Sequence, residues 1–196
     1  GRLGAPLDQP VVVQVNDAQG NAVEGASVTM TASTGASAEP ATGVTDSSGQ
    51  FTTTVSVPGV TGHFQVTATT LDTTGKPVPL TLDEIGLGYQ QVLGNQLNKL
   101  YCARCHDPES TPERVSNMDN LDPKPHAFSE GDTLNKISDA DLTLMISRGG
   151  AALNKSASMP PYGYTLSKLD IEALVSYIRA IADPPYKHAG TVYASK

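Results

Sequence analysis

Apolar residues change their spacing once along this 196-residue chain, and that change limits the fold more than any other feature. Up to Leu82 they recur at every second position in short runs, the pattern of half-buried strands. Val11, Val13 and Val15 share one face, as do Val28, Met30 and Ala32. Phe51, Thr53, Val55 and Val57 follow, then Phe64, Val66 and Ala68, then Val78, Leu80 and Leu82. Asp17-Ala18-Gln19-Gly20-Asn21, Asp46-Ser47-Ser48-Gly49 and Pro58-Gly59 separate the runs with residues that tolerate positive φ or preset a turn. At least five strands at this spacing predict an antiparallel all-β sandwich over residues 1–82. Beyond Leu82 the spacing becomes three and four, which predicts a second, all-α domain over residues 83–196.

Composition changes at the same place. Both Cys and three of the four His follow Leu82. Residues 1–84 carry two basic side chains against eight carboxylates, so most of the net charge of −7 lies there. With no basic cluster, nucleic acid is excluded as a partner. No apolar run approaches the roughly 18 residues of a bilayer span, and the N-terminus lacks a signal-peptide core. A soluble chain is expected, its targeting segment removed, with room for a membrane or lipid anchor upstream of Gly1.

Several stretches of the first part carry a family likeness. These are Gly20-Asn21-Ala22-Val23 after the strand ending at Asp17, Ala26-Ser27-Val28-Thr29-Met30, the Asp46–Gly49 turn before Phe51, and Gly62-His63-Phe64-Gln65-Val66-Thr67-Ala68-Thr69. Over residues 8–82 the segment resembles the bacterial immunoglobulin-like domains of adhesins and surface proteins. It has no Cys for an inter-sheet disulfide, so packing alone must hold it. His63 reads as a solvated residue and Met30 as core filler. The domain is expected to act as a spacer or docking surface, on fold analogy.

Cys102-Ala103-Arg104-Cys105-His106 is a C-x-x-C-H motif, the attachment signature of c-type haem. Two thiols about one helical turn apart can each add to a haem vinyl group, and the next residue then carries its imidazole under the iron. Chance would set these residues together on the order of once in 10⁴. A thioredoxin-like dithiol needs a βαβ setting, and a structural zinc site needs two more ligands. A plain disulfide leaves the His unexplained. One haem c is therefore expected, held by Cys102 and Cys105, with His106 as proximal ligand.

Met159 is the expected sixth ligand. It sits in Ser158-Met159-Pro160-Pro161-Tyr162-Gly163-Tyr164, a Pro-stiffened loop that fits no helical period, whereas Met145 falls on an apolar helix face. Met118 and His126 are the rivals, and each reads as a loop residue. Arg148, Lys155, Tyr162 and Tyr164 are read either as solvated or as partners of the haem propionates.

Three helices frame these residues. Thr81 and Glu84 form a capping box ahead of Ile85, Tyr89, Val92, Leu93, Leu97 and Leu100, with Gly86, Gly88 and Gly94 weakening the start. Ser138 and Asp141 open a second helix with Leu142, Met145 and Ile146 inward, closed by Gly149-Gly150. Ser167 and Asp170 open a third, with a stripe of Ile171, Leu174, Val175, Ile178 and Ile181 that stops at Pro184-Pro185.

Helix, C-x-x-C-H, long loop, short helix, Met-Pro loop and amphipathic final helix follow in order, and residues 85 to about 185 resemble a class I cytochrome c. That resemblance implies that Gly94 crosses Tyr177 of the last helix, and that a loop carbonyl, from Pro123 or Pro125, accepts the Nδ1 hydrogen of His106. The chain departs from the family at Asp107, where Gly is frequent, and in the long segment to Ser138.

A His/Met iron has no vacant position, so one-electron transfer between unnamed redox partner proteins is expected rather than enzymatic turnover. Two other classes stay open: a haem enzyme or gas sensor whose sixth ligand leaves readily, and an adhesive surface protein with an accessory haem. C-type haem attachment, as the resemblance implies, and surface-type immunoglobulin-like domains together predict an exported periplasmic or cell-surface protein.

Overall fold

The computed structural model describes residues 1–33, 35–110 and 115–187. They form two compact units, Gly1–Gly88 and Tyr89 onward; residues 111–114 and 188–196 of the expected second domain lie outside the description.

The first unit is a sandwich of two antiparallel sheets. Strands β1 (Val11–Gln14), β5 (Gln50–Ser56) and β3 (Ser37–Glu39) form one, in the order β1-β5-β3. The other runs β4-β2-β6-β7, with β2 at Ser27–Ala32, β4 at Thr42–Val44, β6 at Gly62–Leu71 and β7 at Pro77–Gly86. Pairings such as Val13↔Phe51 and Met30↔Ala68 bring the predicted faces together. Val13, Val28, Met30, Phe51, Val55, Val57, Phe64, Val66 and Ala68 are all buried in one cluster.

Three turns in this unit share one construction, Asp-x-x-Gly. Asp17, Asp46 and Asp72 each accept, through Oδ1, the backbone N–H groups two and four residues on. Gly20, Gly49 and Gly75 complete them with positive φ, a conformation that costs a side-chain-bearing residue free energy.

The Thr81/Glu84 box does not start a helix; β7 runs through residue 82, and the first compact unit extends to Gly88. Gly62 to Leu71 pairs residue by residue with Gly86 to Pro77, and this ladder outweighs a helix start already weakened by Gly86 and Gly88. Val78 and Leu80 were expected in the core, yet they are 49% and 59% exposed. They share a face with Ala68 and Thr70, but β7 is the edge of a four-stranded sheet packed on a three-stranded one.

The second unit is helical. Helix α1 (Tyr89–Leu97) runs into a π-helical turn, Asn98–Cys102, and then into a single turn, α2 (Ala103–His106). Two short helices, α3 (Gly131–Leu134) and α4 (Asp139–Arg148), precede the final helix α5 (Lys168–Ile181). The predicted N-caps are present: Ser138 Oγ accepts from Asp141 N, and Ser167 with Asp170 makes a full capping box. Leu142, Ile146, Ile171, Leu174, Val175 and Ile178 form the core with Leu97, Leu134 and Cys102. Met145 and Ile181, expected inward, are only half-buried. A Cβ on Gly94 would fall inside contact distance of the Ala173 carbonyl and 2.6 Å from Tyr177 Cβ. The expected close approach of α1 to α5 is thus present, and only glycine permits it.

Candidate functional site

Cys102 ends the π-helical turn, and Cys105 and His106 lie on α2, so one short helical segment carries all three side chains. Both cysteines are free thiols, Cys102 buried and Cys105 partly so. Burial, reinforced by Cys105, pushes the Cys102 thiol up to about 12. A neutral, buried thiol is the reverse of the acidic nucleophile that a redox dithiol requires. Among the described residues no three His, Cys, Asp or Glu side chains gather into a metal-binding group.

His106 Nδ1 lies 2.7 Å from the carbonyl oxygen of His126. A carbonyl only accepts, so Nδ1 carries the hydrogen and the Nε2 lone pair is free. Burial, the largest influence, lowers the pKa of the ring, against the raising effect of that hydrogen bond. A neutral imidazole with Nε2 available is the form that binds a metal. Phe128 stacks on the ring with centroids 4.5 Å apart and planes at 25°. The acceptor is therefore neither Pro123 nor Pro125; the carbonyl one residue beyond Pro125 is the one within reach.

The segment that supplies His126 and Phe128 is strapped to the residues that follow α5. Gly131 N donates to Asp183 O, Asp183 N donates to Ser129 O, and Asn135 Nδ2 donates to Pro184 O. Arg179, 5% exposed, donates to the Leu134 carbonyl at 2.7 Å, to the Ile137 carbonyl, and to Asp139 Oδ1 at 2.8 Å. Its guanidinium also covers the Tyr186 ring at 4.0 Å. Sequence reading missed Arg179, although it continues the i, i+4 row of Ile171 and Val175. It also missed Phe128 and the His126 carbonyl, and no residue type marks a backbone acceptor in advance.

Met159 is partly buried and packs against the core cluster that includes Cys102. Its loop is tied to the end of α4: Gly150 N donates to Met159 O, Tyr162 N to Ile146 O and Gly163 N to Ser147 O. The rivals sit differently. Met118 is buried on a 3-10 turn, and the His126 imidazole faces the Glu130 carboxylate at 3.0 Å. Tyr162 donates to the Tyr101 carbonyl at 2.8 Å, while Tyr164 is 99% exposed and Arg148 and Lys155 are exposed. Two cysteine side chains about one turn apart and an imidazole with a free Nε2 fit the chemical needs of an iron porphyrin bearing two vinyl groups.

Comparisons with known proteins bear on the first unit. Residues 8–82 match the family described as Bacterial Ig-like domain (group 1), so the sandwich carries a bacterial immunoglobulin-like domain. No curated protein matches the chain. Among solved structures, the chain is similar to SSP-19, an MSP-domain protein like family member in Caenorhabditis elegans. Identity is 13%, over 43% of this chain and 90% of that one, and the TM-score of 0.33 is too low to carry an argument. Among the described residues no helix is long and apolar enough to cross a membrane.

Proposed function

We propose that the helical unit is a class I cytochrome c domain that holds one c-type haem and passes single electrons between redox partner proteins. On this reading Cys102 and Cys105 would hold the haem through thioether bonds, and His106 and Met159 would ligate its iron. A haem so held supplies one-electron cycling between ferrous and ferric iron, with a potential raised by the thioether ligand. The chain's own residues do the rest. The His126 carbonyl fixes the tautomer and, with Phe128, the plane of His106. Packing around Cys102 and Met159 excludes water, which disfavours the extra charge of the oxidised state. The immunoglobulin-like domain serves as spacer or docking module, and the protein works outside the inner membrane, in the periplasm or at the cell surface.

One observation carries the reading: the bond from His106 Nδ1 to the His126 carbonyl, beside two cysteine side chains about one turn apart. The test is to produce the full chain in cells with the haem-attachment machinery, then to record its mass and its reduced-minus-oxidised spectrum. Covalently added haem, with a weak far-red band from Met sulfur in the oxidised protein, is the expected result. Bare thiols at Cys102 and Cys105 would overturn it. Immediate binding of CO by the resting reduced protein would move the assignment to a gas sensor or haem enzyme.

A further inference from the structure

Tyr162 follows Met159 by three residues, and its two ends are held by different parts of the unit. Its backbone N–H donates to the Ile146 carbonyl on α4, and its own carbonyl accepts from Thr165 and Leu166. Its hydroxyl donates across to the carbonyl of Tyr101, the residue before Cys102, at 2.8 Å. The Tyr101 and Tyr162 rings also meet edge to face, with centroids 5.9 Å apart. The bonds of Gly150, Tyr162 and Gly163 fasten the Met159 loop to α4; the Tyr162 hydroxyl fastens it to the segment that bears the cysteines.

We propose that Tyr162 is a latch, a positioning residue whose hydroxyl holds the Met159 loop against the Cys102 segment and so sets how readily Met159 gives way to an external ligand. The idea rests on the haem reading above. A thioether is a weak, neutral ligand, and its replacement requires the loop to swing outward. Swinging outward breaks the hydroxyl bond, because the Tyr101 carbonyl belongs to a helical turn and cannot follow. Phenylalanine would keep the ring contact and lose only that bond, which makes the hydroxyl separable from packing.

The test compares the full haem-loaded protein with Tyr162→Phe, using cyanide as the entering ligand on the oxidised form. Loss of one hydrogen bond from the closed state alone should speed cyanide entry roughly five- to tenfold. It should also lower the pH at which the far-red band disappears, with covalent haem content unchanged. An unchanged rate in a variant that keeps the band overturns the latch and leaves the haem reading intact. A second measurement needs no variant: the Tyr162 hydroxyl proton of the reduced protein should exchange slowly with water, and fast exchange also overturns the latch. Absence of covalent haem in the parent protein overturns both readings.

Discussion

The two units bury their chains for different ends. The sandwich core is built from Val13, Val28, Met30, Phe51, Val55, Val66 and their neighbours, none a reactive group, and the fully buried hydroxyls of Thr53 and Thr45 are satisfied internally. Thr53 Oγ1 donates to the Pro40 carbonyl, and Thr45 Oγ1 donates to Val23 O and accepts from Ala26 N. The helical core takes in Cys102 and, at its margin, Met159. It also buries an arginine and shifts both a thiol and an imidazole toward their neutral forms. Burial used only for packing leaves titration to the surface turns, whereas burial around reactive groups tunes them.

The largest expected effect separates the units by chemistry. On the haem reading proposed above, replacing both thiols, Cys102→Ala with Cys105→Ala, should abolish covalent pigment, read by mass and visible absorbance, and leave amide exchange in the sandwich strands unchanged. Gly94→Val comes next, because its side chain has nowhere to go between α1 and α5; we expect about 4 kcal/mol of destabilisation. Amide exchange in α1 and α5 would report it, and protection equal to the parent would contradict the close approach. Val66→Ala tests the other core, where the side chain is fully buried. A loss of about 2 kcal/mol should be confined to the sandwich strands.

The smallest effect concerns acid. Hydrogen bonds at the turns hold the carboxyls of Asp17, Asp46 and Asp72 below their usual 3.8, chiefly those from the side chains of Asn21, Ser48 and Thr74. A depressed folded-state pKa adds stability above the unfolded value and loses it as pH falls through the folded one. The sandwich should therefore hold its melting temperature from neutral pH down to about 4 and lose it below. Asp46→Asn should flatten that decline, and a decline as steep as the parent's would show that these turns do not cause it.

Strands long enough to alternate were legible in the sequence, because burial on one face of a sheet imposes period two. Strands β3 and β4 were not: three residues each, on either side of Pro40, they are too short to show a period. Sheet order was hidden too, and so the exposure of Val78 and Leu80 was misjudged. The Asp72 turn repeats the Asp-x-x-Gly pattern of Asp17 and Asp46, and that pattern is visible in the sequence. In the helical unit Ser138 and Ser167 announced their helices because capping is a local event. The partner of His106 is a backbone carbonyl 20 residues away, fixed by how 123–131 folds, and no local residue pattern encodes it.

The strap between 129–135 and 183–184 sets an order of events. The segment that orients His106 gains its last backbone partners only when the chain has been made as far as Asp183 and Pro184, with Arg179 just before them. Until then the backbone frame behind His106 is incomplete, and docking of the residues after α5 is the step that completes it.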